Sequence, residues 1–356
     1  IRVVNLSVAA AVHESYNVDP LTVAARAAVE SGIVVVAAAG NNGRNPQGHV
    51  QYGGITAPGN APWVLTVGAS SHMGTIDRAD DTIAAFSSRG PTAIDRAAKP
   101  DLVAPGVGIE SLSDPASAFY TTKAAYLLSG TATTSYLPYL SLSGTSMAAP
   151  VVSGTVALML QANPTLTPNA VKAILEYTAE TNSGYDKMTQ GAGFLNARGA
   201  VEVARSLASE SGGDFPDSST WSRHLIWGNR VAAGGRLMAD ASAWATGILW
   251  GAARTALGLP ITWGVWGASD AGDTVVWGTS DGDTVVWGTS GGDTVVWGTA
   301  DSGDTVVWGT SDAGDTVVWG TSDGDTVVWG TSDGDTVVWG TSCGDPSCDP
   351  VIWPRQ

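Results

Sequence analysis

Only two cysteines occur among 356 residues, Cys343 and Cys348, both close to the C-terminus. They exclude a multi-disulfide scaffold, and nothing in the chain has the spacing of a zinc ligand set; one small clip around Gly344-Asp345-Pro346-Ser347, formed in an oxidising compartment, is the most they allow. No run of about 18 or more apolar residues is present, so no transmembrane segment is expected. Basic residues are absent from 268–350, which hold 15 Asp, whereas residues 1–267 balance 18 acids with 16 bases. Almost all of the net charge of −16 therefore sits in a tail, and a tail of that sign repels phosphate backbones, which argues against nucleic acid as a partner. The start lacks a methionine, a signal peptide and a helix cap: Ile1-Arg2-Val3-Val4 reads as a strand entered in mid-domain, and a missing N-terminal part is expected ahead of it. What is present is ample for folding. An apolar content of 44% can bury a core, and the length leaves room for two domains of roughly 100 to 200 residues each.

The first 207 residues alternate strand and helix patterns. Ile1 to Ser7 is a short apolar strand, Leu21 to Ser31 an Ala-rich helix opened by Asp19-Pro20 and closed by Gly32, and Ile33 to Ala39 a continuous apolar run of the kind that is buried on both faces of a parallel sheet. Trp63 to Ala69 and Lys99 to Pro105 supply further strands. Ser146 to Gln161 is a strongly apolar helix after a Gly-rich turn, Thr167 to Thr178 an amphipathic one with Thr167 as N-cap, and Phe194 to Leu207 completes the region. This order predicts an α/β domain, a parallel sheet flanked by helices. Residues 208–220 are small and polar, as a linker is, and 221–267 form a Trp-containing connecting segment.

Of the 15 Trp, 14 lie beyond the linker, and half of those belong to a repeat. Asp-Thr-Val-Val-Trp-Gly-Thr starts at Asp273, Asp283, Asp293, Asp304, Asp315, Asp325 and Asp335. The extra residue in some units always falls in the Ser/Asp/Gly stretch, which puts the variation in turns and the constant segment in strands. Residues 268–353 are thus expected to be all-β, either an antiparallel meander or a small solenoid. Three readings of the repeats stay open: a core of Val and Trp ladders, an exposed Trp row that contacts a cell surface or polysaccharide, or Asp-Gly-Asp turns that hold Ca²⁺ as a structural ion.

The segment with most chemical content is Gly144-Thr145-Ser146-Met147-Ala148-Ala149-Pro150, which ends a Gly/Ser turn and opens the apolar helix. A Ser at a helix N-terminus lies among unpaired N–H groups at the positive end of the dipole, where developing negative charge is stabilised. This heptad resembles the nucleophile motif of the subtilases, the subtilisin-like serine proteases. Five further blocks are similar to that family in its own order: Val4-Asn5-Leu6-Ser7, Val35-Val36-Ala37-Ala38-Ala39-Gly40-Asn41, Phe86-Ser87-Ser88-Arg89-Gly90-Pro91, Lys99 to Gly106, and Gly191 to Ala197. The resemblance implies a partial subtilisin-like α/β domain over 1–207. It implies Ser146 as nucleophile, with Asn41 and the Ser146 backbone N–H as oxyanion donors. Ser7, Val8 and Ala9, with Ala38, Ala39 and Gly40, would line the substrate groove and primary specificity pocket, and polypeptides would be the substrates. Arg89 and Asp101 are expected to pair or cap within the fold. The implied chemistry requires no cofactor.

Two departures from the family pattern stand out. The triad order Asp, His, Ser puts the first two members in blocks ahead of the strand at which this chain begins. His13, His49, His72 and His224 lie in no His-Gly-Thr-like block, so none is expected to be the base, and the chain as written is expected to be inactive. Ala9-Ala10 stands where many members have Gly-Gly, which narrows the groove. The competing expectation is a non-catalytic, protease-derived scaffold or repeat adhesin acting through the Trp/Asp tail. The resemblance and the acidic tail together imply a secreted or cell-surface bacterial protein.

Overall fold

The computed structural model describes residues 1–208, 215–228, 230–238 and 241–252, and the backbone of eight strands between 265 and 340. In chain order the elements are β1 (Val3–Leu6), α1 (Pro20–Glu30), β2 (Val34–Ala38), β3 (Leu65–Ser71), β4 (Thr82–Ile83), β5 (Leu102–Pro105), β6 (Ile109–Leu112), α2 (Ala118–Thr122), β7 (Leu127–Leu128) and β8 (Tyr139–Leu142). They continue with α3 (Thr145–Ala162), α4 (Pro168–Thr178), α5 (Lys187–Gln190), α6 (Ala197–Ser206), β9 (His224–Trp227) and β10 (Arg230–Leu237). After these come β11 (Val265–Ser269), β12 (Thr274–Gly278), β13 (Thr284–Gly288), β14 (Thr294–Thr299), β15 (Thr305–Gly309), β16 (Thr316–Thr321), β17 (Thr326–Gly330) and β18 (Thr336–Gly340).

β1, β2, β3 and β5 form a parallel sheet, and β4 adds a short antiparallel edge to β3. Every residue of β2 is buried, as its unbroken apolar run demands of a strand covered on both faces. α1 begins where the sequence signals it: the Asp19 carboxylate accepts from the Leu21 and Thr22 N–H groups, and Pro20 occupies the first turn, where its missing N–H costs nothing. α3 packs across β1, β2, β3 and β5 and against α6. By length and composition it is long and apolar enough to cross a membrane, but Ala148, Ala149, Val152, Val156 and Met159 are buried against the domain, which makes it a core helix. An excursion from Gly106 to Gly144, absent from the sequence-level reading, forms a small antiparallel sheet in the order β6-β8-β7; its Leu112, Phe119 and Tyr126 face solvent, so no buried stripe marks it in the sequence.

Beneath the sheet lies a charge cluster. Lys99 and Lys172 both pair with Asp101, at 2.9 and 3.0 Å, and all three side chains are buried. Asp101 also accepts from the Thr66 N–H, and the ammonium groups donate to the Val64 and Pro62 carbonyls. Burial pushes the Lys99 amine down to about 7, with the neighbouring Lys172 adding to the shift and Asp101 opposing it.

Two compact units divide the chain: Ile1–Ser222 with Ala239–Thr262, and Arg223–Met238 with Trp263–Gln356. The segment 221–267, expected as a connector, is thus shared between them. Its part in the first unit is held by α4: the Thr167 hydroxyl donates to the Trp244 carbonyl at 2.5 Å, and the Asn169 amide to the Ala243 and Ile248 carbonyls at 3.0 and 2.9 Å. The Lys172 ammonium lies 4.6 Å from the Trp250 ring centroid. Residues 209–214 of the expected linker, and Cys343 and Cys348, lie outside the described residues.

In the second unit β9, β10 and β11 make an antiparallel sheet. The repeats are parallel: β12, β14, β16 and β18 form one sheet and β13, β15 and β17 another. Each strand pairs in register with the repeat two units on, so that Trp277, Trp297, Trp319 and Trp339 follow one another across the first sheet and Trp287, Trp308 and Trp329 across the second. Of the two arrangements the repeat pattern allows, this is the solenoid and not the antiparallel meander.

Candidate active site

The C-terminal ends of the parallel strands converge on the start of α3, the place where open α/β sheets present their ligands. Ser7 follows β1, Asn41 follows β2, and Gly106 follows β5; the Gly144 N–H donates to the Gly106 carbonyl at 2.8 Å and so brings the helix start to the sheet.

Thr145 ties this start to the loop after β2. Its N–H and hydroxyl both meet one oxygen of the Asn41 side chain, at 3.0 and 3.1 Å, and its hydroxyl accepts from the Gly40 N–H at 3.1 Å. An N–H can only donate, so the atom facing Thr145 is Oδ1 and the other atom of the amide is the donor Nδ2. That nitrogen sits over Gly144, 3.5 Å from where a Cβ would stand, and makes no hydrogen bond among the described residues. The Ser146 N–H is likewise unpaired, because it lies in the first turn of α3. Two free donors therefore converge over Gly144, 3.5 and 3.7 Å from where its Cβ would stand, at the positive end of the 18-residue helix that carries Ser146 in its first turn. Gly40 is required in this turn: its φ is +101°, and a Cβ would stand 2.8 Å from the Thr56 methyl and 2.9 Å from the Ser88 hydroxyl.

On the other side of Ser146, Pro150 has no N–H to offer the Ser146 carbonyl, its partner four residues back. The Ser7 hydroxyl takes that place and donates to the Ser146 carbonyl at 2.6 Å, while the Ser146 hydroxyl rests on the Ser7 carbonyl at 3.2 Å. Past Ser7 the chain is open. Val8 and Ala9 are exposed and their main-chain groups make no hydrogen bond among the described residues, before Ala10 pairs with Ala57 in both directions at 3.0 and 2.9 Å. Ala38 and Ala39 are fully buried and Gly40 is buried beside them; the Ala39 amide donates to Val67 and its carbonyl accepts from Thr56. These three thus form the floor behind Asn41, whereas Ser7, Val8 and Ala9 form the accessible edge.

The His residues of this unit are elsewhere. His13 and His49 are exposed, the His72 ring accepts from the Gly74 N–H at 3.1 Å, and none of them hydrogen-bonds Ser146. Asp101 is held in the ion-pair cluster, and Arg89 lies 5.9 Å from the centre of the Tyr52 ring. Among the described residues no group of three or more His, Cys, Asp or Glu is poised to hold a metal ion. Sequence reasoning missed Thr145 as the residue that orients Asn41, although it stands beside Ser146 in the motif, and missed the consequence of Pro150 four positions after the Ser.

The sequence model of the subtilase family matches residues 1–199. Serine protease AprX of Bacillus subtilis (strain 168) is 41% identical over 183 residues, covering 51% of this chain and 38% of that protein. Subtilisin DY of Bacillus licheniformis is 35% identical over 176 residues, 49% of each chain, and an extracellular protease of Xanthomonas campestris is 36% identical over 178 residues, 50% of this chain and 25% of that one. A solved protease from Pseudoalteromonas arctica PAMC 21717 aligns with 57% of this chain and 51% of its own at 29% identity and a TM-score of 0.40. The chain thus spans between a quarter and a half of the length of these curated relatives. With more than half of its residues matched, from the strand before Ser7 through the Ser146 helix to α6, the chain belongs to the subtilase family.

Proposed function

We propose that this chain is the nucleophile-bearing part of a serine endopeptidase that cleaves polypeptides through an acyl-enzyme on Ser146. The observation that carries the proposal is the pair of unpaired donors, Asn41 Nδ2 and the Ser146 N–H, that converge over Gly144 at the start of the helix bearing Ser146. In this reading the hydroxyl attacks the scissile carbonyl, the two donors hold the oxyanion, and loss of the amine leaves an ester on Ser146 that water cleaves. The free main-chain groups of Val8 and Ala9 pair with the substrate backbone as an added strand. Ser7 closes the end of that edge, and Ala38, Ala39 and Gly40 back the specificity pocket. The His that takes the Ser146 proton, and the Asp that orients it, come from sequence ahead of Ile1, because no His of this unit reaches Ser146.

That same observation is what favours the second reading, a subtilase-derived scaffold whose working part is the repeat tail. Hydrolysis of a peptide substrate by the protein extended to upstream Asp and His blocks, abolished by Ser146→Ala and absent from residues 1–356 alone, supports the enzyme. Lack of hydrolysis by the extended protein supports the scaffold. The chemistry uses no cofactor. Secretion accords with the family and with the acidic tail, whose contact with a cell surface or polysaccharide is part of the proposal. Ca²⁺ enters as a structural ion of the repeat turns: added Ca²⁺ should raise the melting of the tail, and unchanged melting contradicts this.

A further inference from the structure

Beyond the residues that meet substrate, a line of polar side chains runs from the interior of α3 back to its first turn. The Ser153 hydroxyl lies 2.9 Å from Asn5 Oδ1 and 3.1 Å from the Ala149 carbonyl and shares its single proton between them, Asn5 Nδ2 donates to the Ser7 hydroxyl at 2.8 Å, and the Ser7 hydroxyl donates to the Ser146 carbonyl at 2.6 Å. The direction of the line is fixed by its last member. A bare carbonyl can only accept, so the Ser7 proton is committed to Ser146, and what Ser7 receives must be an N–H; this turns the Asn5 amide so that its oxygen faces Ser153.

Ser146 and Ser153 are two turns apart on one face of α3. Asn5 lies on β1, and Ser7 follows that strand. The line therefore staples the first two turns of α3 to the sheet across the gap that Pro150 opens in the helix's own ladder. Without Ser7 the Ser146 carbonyl lacks the donor that an ordinary helix supplies four residues on. Without Asn5 the Ser7 hydroxyl is free to rotate away from it.

We infer that Asn5, held by Ser153, is a positioning residue that fixes the main chain of Ser146 through Ser7 and so sets where the hydroxyl stands relative to its oxyanion donors. The inference rests on the reading of Ser146 as nucleophile. A group displaced at the reacting centre lowers turnover more than it weakens substrate binding, because the extended edge at Val8 and Ala9 is untouched.

The test uses the protein that carries the complete Asp, His and Ser146 set, with a chromogenic peptide for kcat and KM and a fluorophosphonate for the rate of Ser146 labelling. Asn5→Ala removes both bonds. Asn5→Asp keeps the shape and the acceptor for Ser153 but offers Ser7 an oxygen, which draws the Ser7 proton away from Ser146. Both variants should lower kcat and the labelling rate about fivefold, the size of one lost hydrogen bond, with KM within about twofold of the parent. Ser153→Ala should cost about twofold, and adding it to Asn5→Ala should cost nothing further, since the two act in series. Unchanged kcat and labelling in both Asn5 variants overturn the inference, as does a Ser153→Ala effect that multiplies with that of Asn5→Ala. If the parent itself is not labelled on Ser146, the reading of the nucleophile falls, and the inference with it.

Discussion

Neighbouring parallel strands in the first unit differ in sequence beyond a shared Val-Val, whereas those of the repeats are copies of one another. β1 reads VVNL and β2 VVVAA, yet β12, β13, β15, β17 and β18 all read TVVWG. In the first unit the register is pinned by contacts that occur once: Thr145 on Asn41, Ser7 on Ser146, and Asp101 between Lys99 and Lys172. In the repeats the register aligns identical residues, and a slip by two units restores the same pairs. A constellation in which two free donors converge at the helix start that carries Ser146 needs several different residues brought together once. Periodic sequence repeats its contacts and has no place for it, which is why the proposed chemistry falls in the irregular part.

This contrast is broken or sharpened by substitution. The largest effect is expected at Ser146 itself: Ser146→Ala in the protein with its complete triad should lower kcat on the order of 10⁶, a magnitude that itself comes from a subtilisin. Residual hydrolysis near the parent rate would place the nucleophile elsewhere. Asn41→Ala should cost about 10² to 10³ in kcat with little change in KM, again a range that rests on a subtilisin, since in the proposed reading the Asn41 donor acts on the oxyanion. An equal loss in binding would reassign Asn41 to substrate recognition.

Next comes the buried cluster. Asp101→Ala leaves two buried ammonium groups facing each other and should destabilise the first unit by about 3–5 kcal/mol, read as a lowered midpoint in urea. A midpoint unchanged from the parent would mean that the cluster is solvated. The same site gives a pH dependence. The Lys99 amine titrates near 7 in the folded protein and at 10.5 in its ordinary state, so the unfolded chain binds more protons between these values. The contribution is complete above pH 10.5 and is lost as pH falls through 7. The melting temperature of the first unit should therefore rise from pH 7 to pH 9, and Lys99→Met should flatten the rise. Tyr16 acts in the opposite sense, since burial and Asp95 raise its hydroxyl above 10, so its contribution is lost at higher pH; the comparison belongs below pH 9. The smallest effect is expected in the repeats: deleting residues 294–304, one whole unit, should leave Ser146 labelling within about twofold of the parent, since each repeat strand pairs with other repeat strands, two units away.

The centre of the sheet was legible in the sequence because β2 is an unbroken apolar run, and α1 and α4 were legible because Asp19 and Thr167 cap them where expected. The residues around Ser146 were legible only by family resemblance, since a Ser after Gly-Thr is also an ordinary helix start. The β6-β8-β7 excursion was not legible, because Leu112, Phe119, Tyr126 and Tyr136 are exposed and Leu140 alone among its side chains is buried, so no period shows. Nor was the return of Ala239–Thr262 to the first unit, which depends on Thr167, Asn169 and Lys172 of α4 meeting carbonyls and a Trp ring about 75 residues away in sequence. For the repeats the period was plain, but parallel and antiparallel pairing bury the same alternation, so the sequence left both open.

The most direct test of the central claim is peptide mapping by mass spectrometry after fluorophosphonate treatment of the protein extended to its Asp and His blocks. The account predicts a single phosphonylated peptide containing Ser146, formed at a rate that falls about 100-fold in Asn41→Ala. An unmodified Ser146, or labelling indifferent to Asn41, would contradict it.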